Sequence, residues 1–255
     1  MRAEELADRF EMTDGRQPRF ADVPAEVARR FPLGAFALLQ NGDVFETAGG
    51  RAPPDGKARA RAYLASHVRF EAHGAQGAVV EQVREEMCRL LEGNPLLVGR
   101  LAAAHGIQVD LVPRGVPLAR LGYPRGVSSR AVGLFWNQAD WPCARMALRQ
   151  EALETERVLV IHEMAHAVHG LAFTHEEREQ LYALMLRTYR SRAAVDEVFA
   201  IYSEREFLPD FDARERRTQG VYGMARTRWS EEHVLTRFVR YLYFPYKPLA
   251  GGRGR

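Results

Sequence analysis

Val158-Leu159-Val160-Ile161-His162-Glu163-Met164-Ala165-His166 is the stretch that decides the fold, and it continues as Ala167-Val168-His169-Gly170. An apolar run leads into H-E-x-x-H, with small residues between and after the histidines. On an α-helix, residues four apart differ by about 40° in azimuth and about 6 Å in rise. His162 and His166 can therefore reach one tetrahedral metal ion from the same helix face, with Glu163 beside them as a general base toward a metal-activated water. The motif predicts a zinc hydrolase, most simply a peptidase, on a helix spanning about 155–172.

A catalytic zinc takes three protein ligands and one open position, so a third ligand must come from elsewhere in the chain. A further histidine ten positions after the first, with glycine at the seventh, would mark a metzincin, but position 169 is His and position 172 is Ala. His169 lies about 10 Å along the helix from His162, too far for the same ion. It is expected to support the site or the core, not to bind the metal. The remaining option is a carboxylate on a following helix. Glu197, in Glu197-Val198-Phe199-Ala200, is the leading candidate, with Asp196 as the alternative.

Downstream, Thr174-His175-Glu176-Glu177 has capping-box spacing and predicts a helix to about Tyr189, interrupted at Ser191-Arg192-Ala193. A helix over about 194–207 then carries Asp196 and Glu197, and a last one runs from about Ser230 to before Pro245. Upstream, Val79, Val80, Val83, Met87, Leu90 and Leu91 fall on one helix face that Gly93 ends. Pro95 opens a second helix, and Gly106 stops it. Ile107–Val112 alternates as a half-buried strand does, and 131–136 and 145–148 are further strand candidates. Helices around a small sheet make an α+β plan.

The first seventy residues are the least legible. Short helices fit 4–10 and 25–31, and Asn41-Gly42 between two apolar runs predicts a β-hairpin over 35–47. Gly49 to Gly56 reads as a loop or linker. A soft boundary near 70–77 divides the chain into an N-terminal region, 1–75, and a catalytic domain, 76–255.

At 255 residues and 46% hydrophobic, the chain can bury a full core. No apolar run reaches the eighteen or so residues of a membrane span. Met1-Arg2-Ala3-Glu4-Glu5 lacks the order of a signal peptide, so a cytoplasmic setting is expected. Cys88 and Cys143 form no metal-type pair and read as reduced thiols. Net charge is +3, and the basic residues alternate with acids, as in Arg214-Glu215-Arg216-Arg217. That dispersion argues against a nucleic-acid partner.

The H-E-x-x-H helix, the helix after it, a tyrosine-containing break and the E-x-F-A helix together resemble the gluzincin metallopeptidases. The likeness is to the branch that includes the catalytic domain of anthrax lethal factor and the clostridial Pro-Pro endopeptidases. It spans about 158–207, with a looser match in element order back to about 76. It implies a zincin-like fold, with a small mixed sheet, the H-E-x-x-H helix and a following ligand helix. It further implies one zinc ion held by His162, His166 and Glu197, with Glu163 as general base. Tyr189 would be the oxyanion donor, with Tyr182, Tyr202 and Tyr222 as fallbacks. Two features depart from the family pattern. Tyr189 stands one position further from Glu197 than the family spacing, and Ile201 replaces a glutamate of E-x-F-A-E that supports the site, for which Asp196 or Glu204 can substitute.

The expected substrate is a peptide or protein, paired with a sheet edge between Ala131 and Leu148. Two other readings compete. A DNA-associated metallopeptidase of the SprT kind would want a later His-Gly segment, and the only one here, His169-Gly170, is too close. A non-enzymatic zincin-fold binding module is the other.

Overall fold

The computed structural model describes residues 33, 35, 55–124, 126–127, 131–138, 141–186, 191–207 and 234–245. Helix α1 (Gly56–His67) runs directly into strand β1 (Val68–Glu71), followed by α2 (Gly77–Leu91), α3 (Pro95–Ala103) and β2 (Ile107–Val112). Then come β3 (Gly133–Trp136), β4 (Ala144–Arg149), the single turn α4 (Gln150–Leu153) and α5 (Val158–Ala167). A π-helical turn over Val168–Ala172 continues α5. Helices α6 (His175–Met185), α7 (Arg192–Phe207) and α8 (Val234–Tyr243) complete a mixed α+β architecture. None of the described helices is long and apolar enough to cross a membrane.

The sheet has the order β1-β2-β4-β3. β1 and β4 flank β2 in parallel, while β3 runs antiparallel to β4 at the edge. Central strand β2 is buried at every position but Gln108, as a strand paired on both edges and covered on both faces must be. Ile107, Val109, Leu111, Met146 and Leu148 belong to the main core with the helices, whereas Val112, Ala147, Leu118 and Tyr123 form a second core on the opposite face. Because side chains alternate along a strand, Gly133 and Phe135 face the α5 side with their partners Leu148 and Met146.

On the second face, Asp110 is fully buried. Its carboxylate accepts from Tyr123 Oη (2.7 Å), Gln108 Nε2 (3.0 Å) and the Arg145 guanidinium (2.6 Å), with Nε2 of His73 at 3.0 Å. These bonds join β1's exit, β2, β4 and the connection that leads to β3. Arg145 also stacks on the rings of Tyr123 and Trp141.

Side-chain caps fix the starts of α3 and α6. Asn94 accepts from the N–H groups of Leu96 and Leu97 ahead of Pro95, and its amide nitrogen donates to Leu242 O, tying α8 to α3. Thr174 and Glu177 form the capping box of α6. Glu177 does more: its buried carboxylate receives Arg100 Nη1 at 2.5 Å and the N–H of Leu33 at 3.0 Å.

Where the expectations and the structure differ, the reasons are local. The motif helix starts at Val158 and is divided into α5 and the π turn, and α6 ends at Met185, short of Tyr189. Leu33, Ala35, Ala60, Tyr63 and Leu64 share the main core, so α1 and β1, ahead of the soft boundary at 70–77, pack within the same body as the motif. Residues 36–47 of the anticipated hairpin lie outside the described residues, while Ala35 is helical instead of extended. Both cysteines are free, as expected.

Candidate metal centre

Helix α5 is apolar nearly all round, as a helix enclosed by other elements must be. Val158, Leu159, Val160, Ile161, Met164, Ala165 and Ala167 are buried, and its polar side chains are His162, Glu163 and His166. The Nε2 atoms of the two histidines stand 3.2 Å apart. Helix α7 brings Glu197 against them, with Oε2 3.5 Å from His162 Nε2 and Oε1 3.6 Å from His166 Nε2. Tetrahedral zinc with bonds of about 2.0–2.1 Å sets its ligand atoms about 3.3–3.4 Å apart. The separation of the two imidazole nitrogens is close to that edge length, and each of them meets a different oxygen of the Glu197 carboxylate at a similar distance. Among the described residues this is the one group of histidine, cysteine or carboxylate side chains with metal-binding proximity.

The fit has a second sign. Glu197 Oε2 is buried and has no hydrogen-bond partner. A buried carboxylate oxygen without a donor is costly, and a cation between it and the imidazoles removes that cost. Two imidazole nitrogens and one carboxylate oxygen are a donor set that suits zinc.

The surrounding charge favours a cation as well. Burial disfavours a charged His162, but Glu197, Glu204 and Glu163 outweigh it and hold its pKa well above the usual histidine value. Burial and then the neighbouring His162 depress His166 to about 4, against the pull of Glu197. For Glu197 itself, burial is outweighed by the two histidines, and its pKa is lowered.

Glu204 approaches His162 from behind, with Oε1 2.6 Å from Nδ1. That contact favours the tautomer with the proton on Nδ1, leaving the Nε2 lone pair directed at Glu197 and His166. Of the two substitutes expected for the missing glutamate at Ile201, Glu204 fills the role. Asp196, the alternative ligand, turns instead to Tyr182 Oη at 2.8 Å and His169 Nδ1 at 3.4 Å.

Glu163 lies beside the two histidines on α5, against the edge strand β3. It is buried, and it accepts a hydrogen bond from the Phe135 backbone. Burial above all raises its pKa, to about 7; Glu197 and Glu204 add to the rise, and His162 and the Phe135 bond oppose it. Gly133 makes room for it: a Cβ there would overlap Glu163 Oε1 and lie 2.7 Å from Leu159 Cδ1. Sequence reasoning missed Gly133 and Phe135, although a glycine inside a strand pattern is a signal of close approach.

Tyr189 and Tyr222 lie outside the described residues. Tyr202 is buried in α7, and Tyr182 is engaged by Asp196. His169, which an ideal helix would put on the ligand face, is turned by the π winding into a slot between Phe173, Tyr182 and Phe199. It takes no part in the His162–His166–Glu197 group. Comparison with protein-family models, with curated proteins and with solved structures found no match.

Proposed function

We propose that this chain is a zinc metalloendopeptidase of the gluzincin type, with a zincin-like fold, holding one zinc ion through His162, His166 and Glu197. The convergence of those three side chains, one ligand atom from each lying within 4.8 Å of the others, carries the reading. When bound, zinc supplies a Lewis acid that polarises a carbonyl and makes water acidic near neutrality.

The protein's own residues do the rest. Glu163 takes a proton from the attacking water and returns it to the leaving amine, so the water's oxygen replaces nitrogen on the acyl carbon. The Phe135 backbone bond orients that carboxylate, and the close approach at Gly133 keeps it beneath the strand. Glu204 holds the His162 ring and its tautomer. Among the described residues β3 pairs only with β4, so its outer edge offers backbone groups to an extended peptide. A protein or peptide substrate at this edge places a scissile bond beside Glu163.

The test is zinc content together with digestion of a peptide library. Glu163→Gln should retain zinc and lose about 10²–10⁴-fold in rate. Glu197→Ala should lose zinc. Full hydrolysis by Glu163→Gln would overturn the proposal.

A further inference from the structure

Glu197 meets both histidines only if α7 keeps one rotation and one axial position. Apolar packing alone tolerates small slides; directional polar contacts do not. Asp196, about 100° around the helix from Glu197, makes such contacts. Tyr182 on α6 donates to Asp196 Oδ1 at 2.8 Å, and His169 Nδ1 faces the same oxygen at 3.4 Å. His169 belongs to the π turn that continues the histidine helix. One side chain of α7, next to Glu197, thus grips both α6 and the π turn.

The character of His169 supports the role. It is buried among Phe173, Tyr182 and Phe199, in a slot that a phenylalanine would fill. Its Nε2 has no hydrogen-bond partner, which costs stability. The Nδ1 contact with Asp196 is the polar contact that sets histidine apart from phenylalanine there.

We propose that Asp196, held by Tyr182 and His169, is a positioning residue that fixes α7 so that Glu197 is presented to His162 and His166. The proposal rests on the zinc reading above. It is tested on the full chain by zinc affinity against a competing chelator and by the visible spectrum of the cobalt(II)-substituted protein, with far-ultraviolet circular dichroism as the check on folding. Asp196→Ala should bind zinc about tenfold more weakly and change the cobalt spectrum. Tyr182→Phe, which preserves the ring packing, should shift both in the same direction and serves as the deciding variant if Asp196→Ala does not fold. Asp196→Asn retains an oxygen that can accept from Tyr182 and should recover most of the affinity.

Unchanged zinc affinity and cobalt spectra in Asp196→Ala and Tyr182→Phe, even with a lower Tm, overturn the positioning role. So does an Asp196→Asn loss as deep as that of Glu197→Ala, which would make Asp196 a ligand. A wild-type chain that binds no zinc overturns the metal reading and the positioning role with it.

Discussion

On one face of the sheet, Asp110 accepts from Tyr123, Gln108 and Arg145 and has His73 at hydrogen-bonding distance. On the other side, beside α5, Glu197 Oε2 is buried without a well-formed hydrogen bond, His162 Nε2 standing 3.5 Å away. Both regions gather carboxylate and cationic or imidazole groups away from water. The first is closed: both oxygens of Asp110 are satisfied, and the network joins elements of the fold. The second leaves Glu197 Oε2 unsatisfied, which the proposed zinc ion would remedy. Hydrogen-bond satisfaction, more than the mere presence of buried charge, separates a structural cluster from a candidate binding site.

The largest expected effect is on the closed side. Asp110→Ala would leave Arg145 without its buried partner and should cost about 3–5 kcal/mol in urea unfolding, with zinc affinity unchanged in whatever fraction remains folded. A loss near zero would show that the network does not hold the fold.

Next is zinc itself, which should raise stability by about 2.7 kcal/mol at a free concentration one hundred times its Kd. Glu197→Ala should abolish that increment, and an increment that survives the substitution would remove Glu197 from the ligand set. Gly133→Ala tests the strand that borders both regions. The added methyl must displace Glu163 or Leu159, at a cost of about 1–3 kcal/mol, and should lower peptide hydrolysis while the zinc content stays normal. Wild-type rates in that variant would count against the packing account of Glu163.

The smallest effect concerns acid. Burial works against the Asp110 carboxylate, but His73, Tyr123, Arg145 and Gln108 outweigh it and lower its pKa. A depressed folded-state pKa contributes stability that is full above the unfolded value of about 3.9 and is lost as pH falls through the folded value. Asp110→Asn should therefore flatten the acid limb of the stability curve below about pH 4. An unaltered limb would assign acid unfolding to other carboxylates.

Much of the framework was legible because it rests on local patterns. The periodic apolar residues of α2, Pro95 at the start of α3, the alternation in β2 and the Thr174–Glu177 capping box each announce an element within a few residues. The histidines and Glu163 were legible because helical spacing alone puts them together. α1 and β1 were not. Gly56–His67 alternates arginine with alanine and shows little amphipathic contrast, and the four residues of β1 acquire meaning only through parallel pairing with Ile107–Asp110. The π turn was equally hidden, since His169 obeys helical spacing in sequence and departs from it only when packed. Glu204 could be named as a substitute, but choosing it over Asp196 required the phase of α7 against α5.

That phase bears on how such sites are searched for. Positions four and seven residues after Glu197 fall about 40° ahead and about 20° behind it on a helix, so either can carry the carboxylate that meets His162. Here Ile201 has the first position and Glu204 the second. A search string that demands glutamate at the fourth position would pass over this chain. One that accepts an acid anywhere on the same helical stripe would retrieve it, along with any other chain in which the carboxylate that meets the first histidine stands a turn further on.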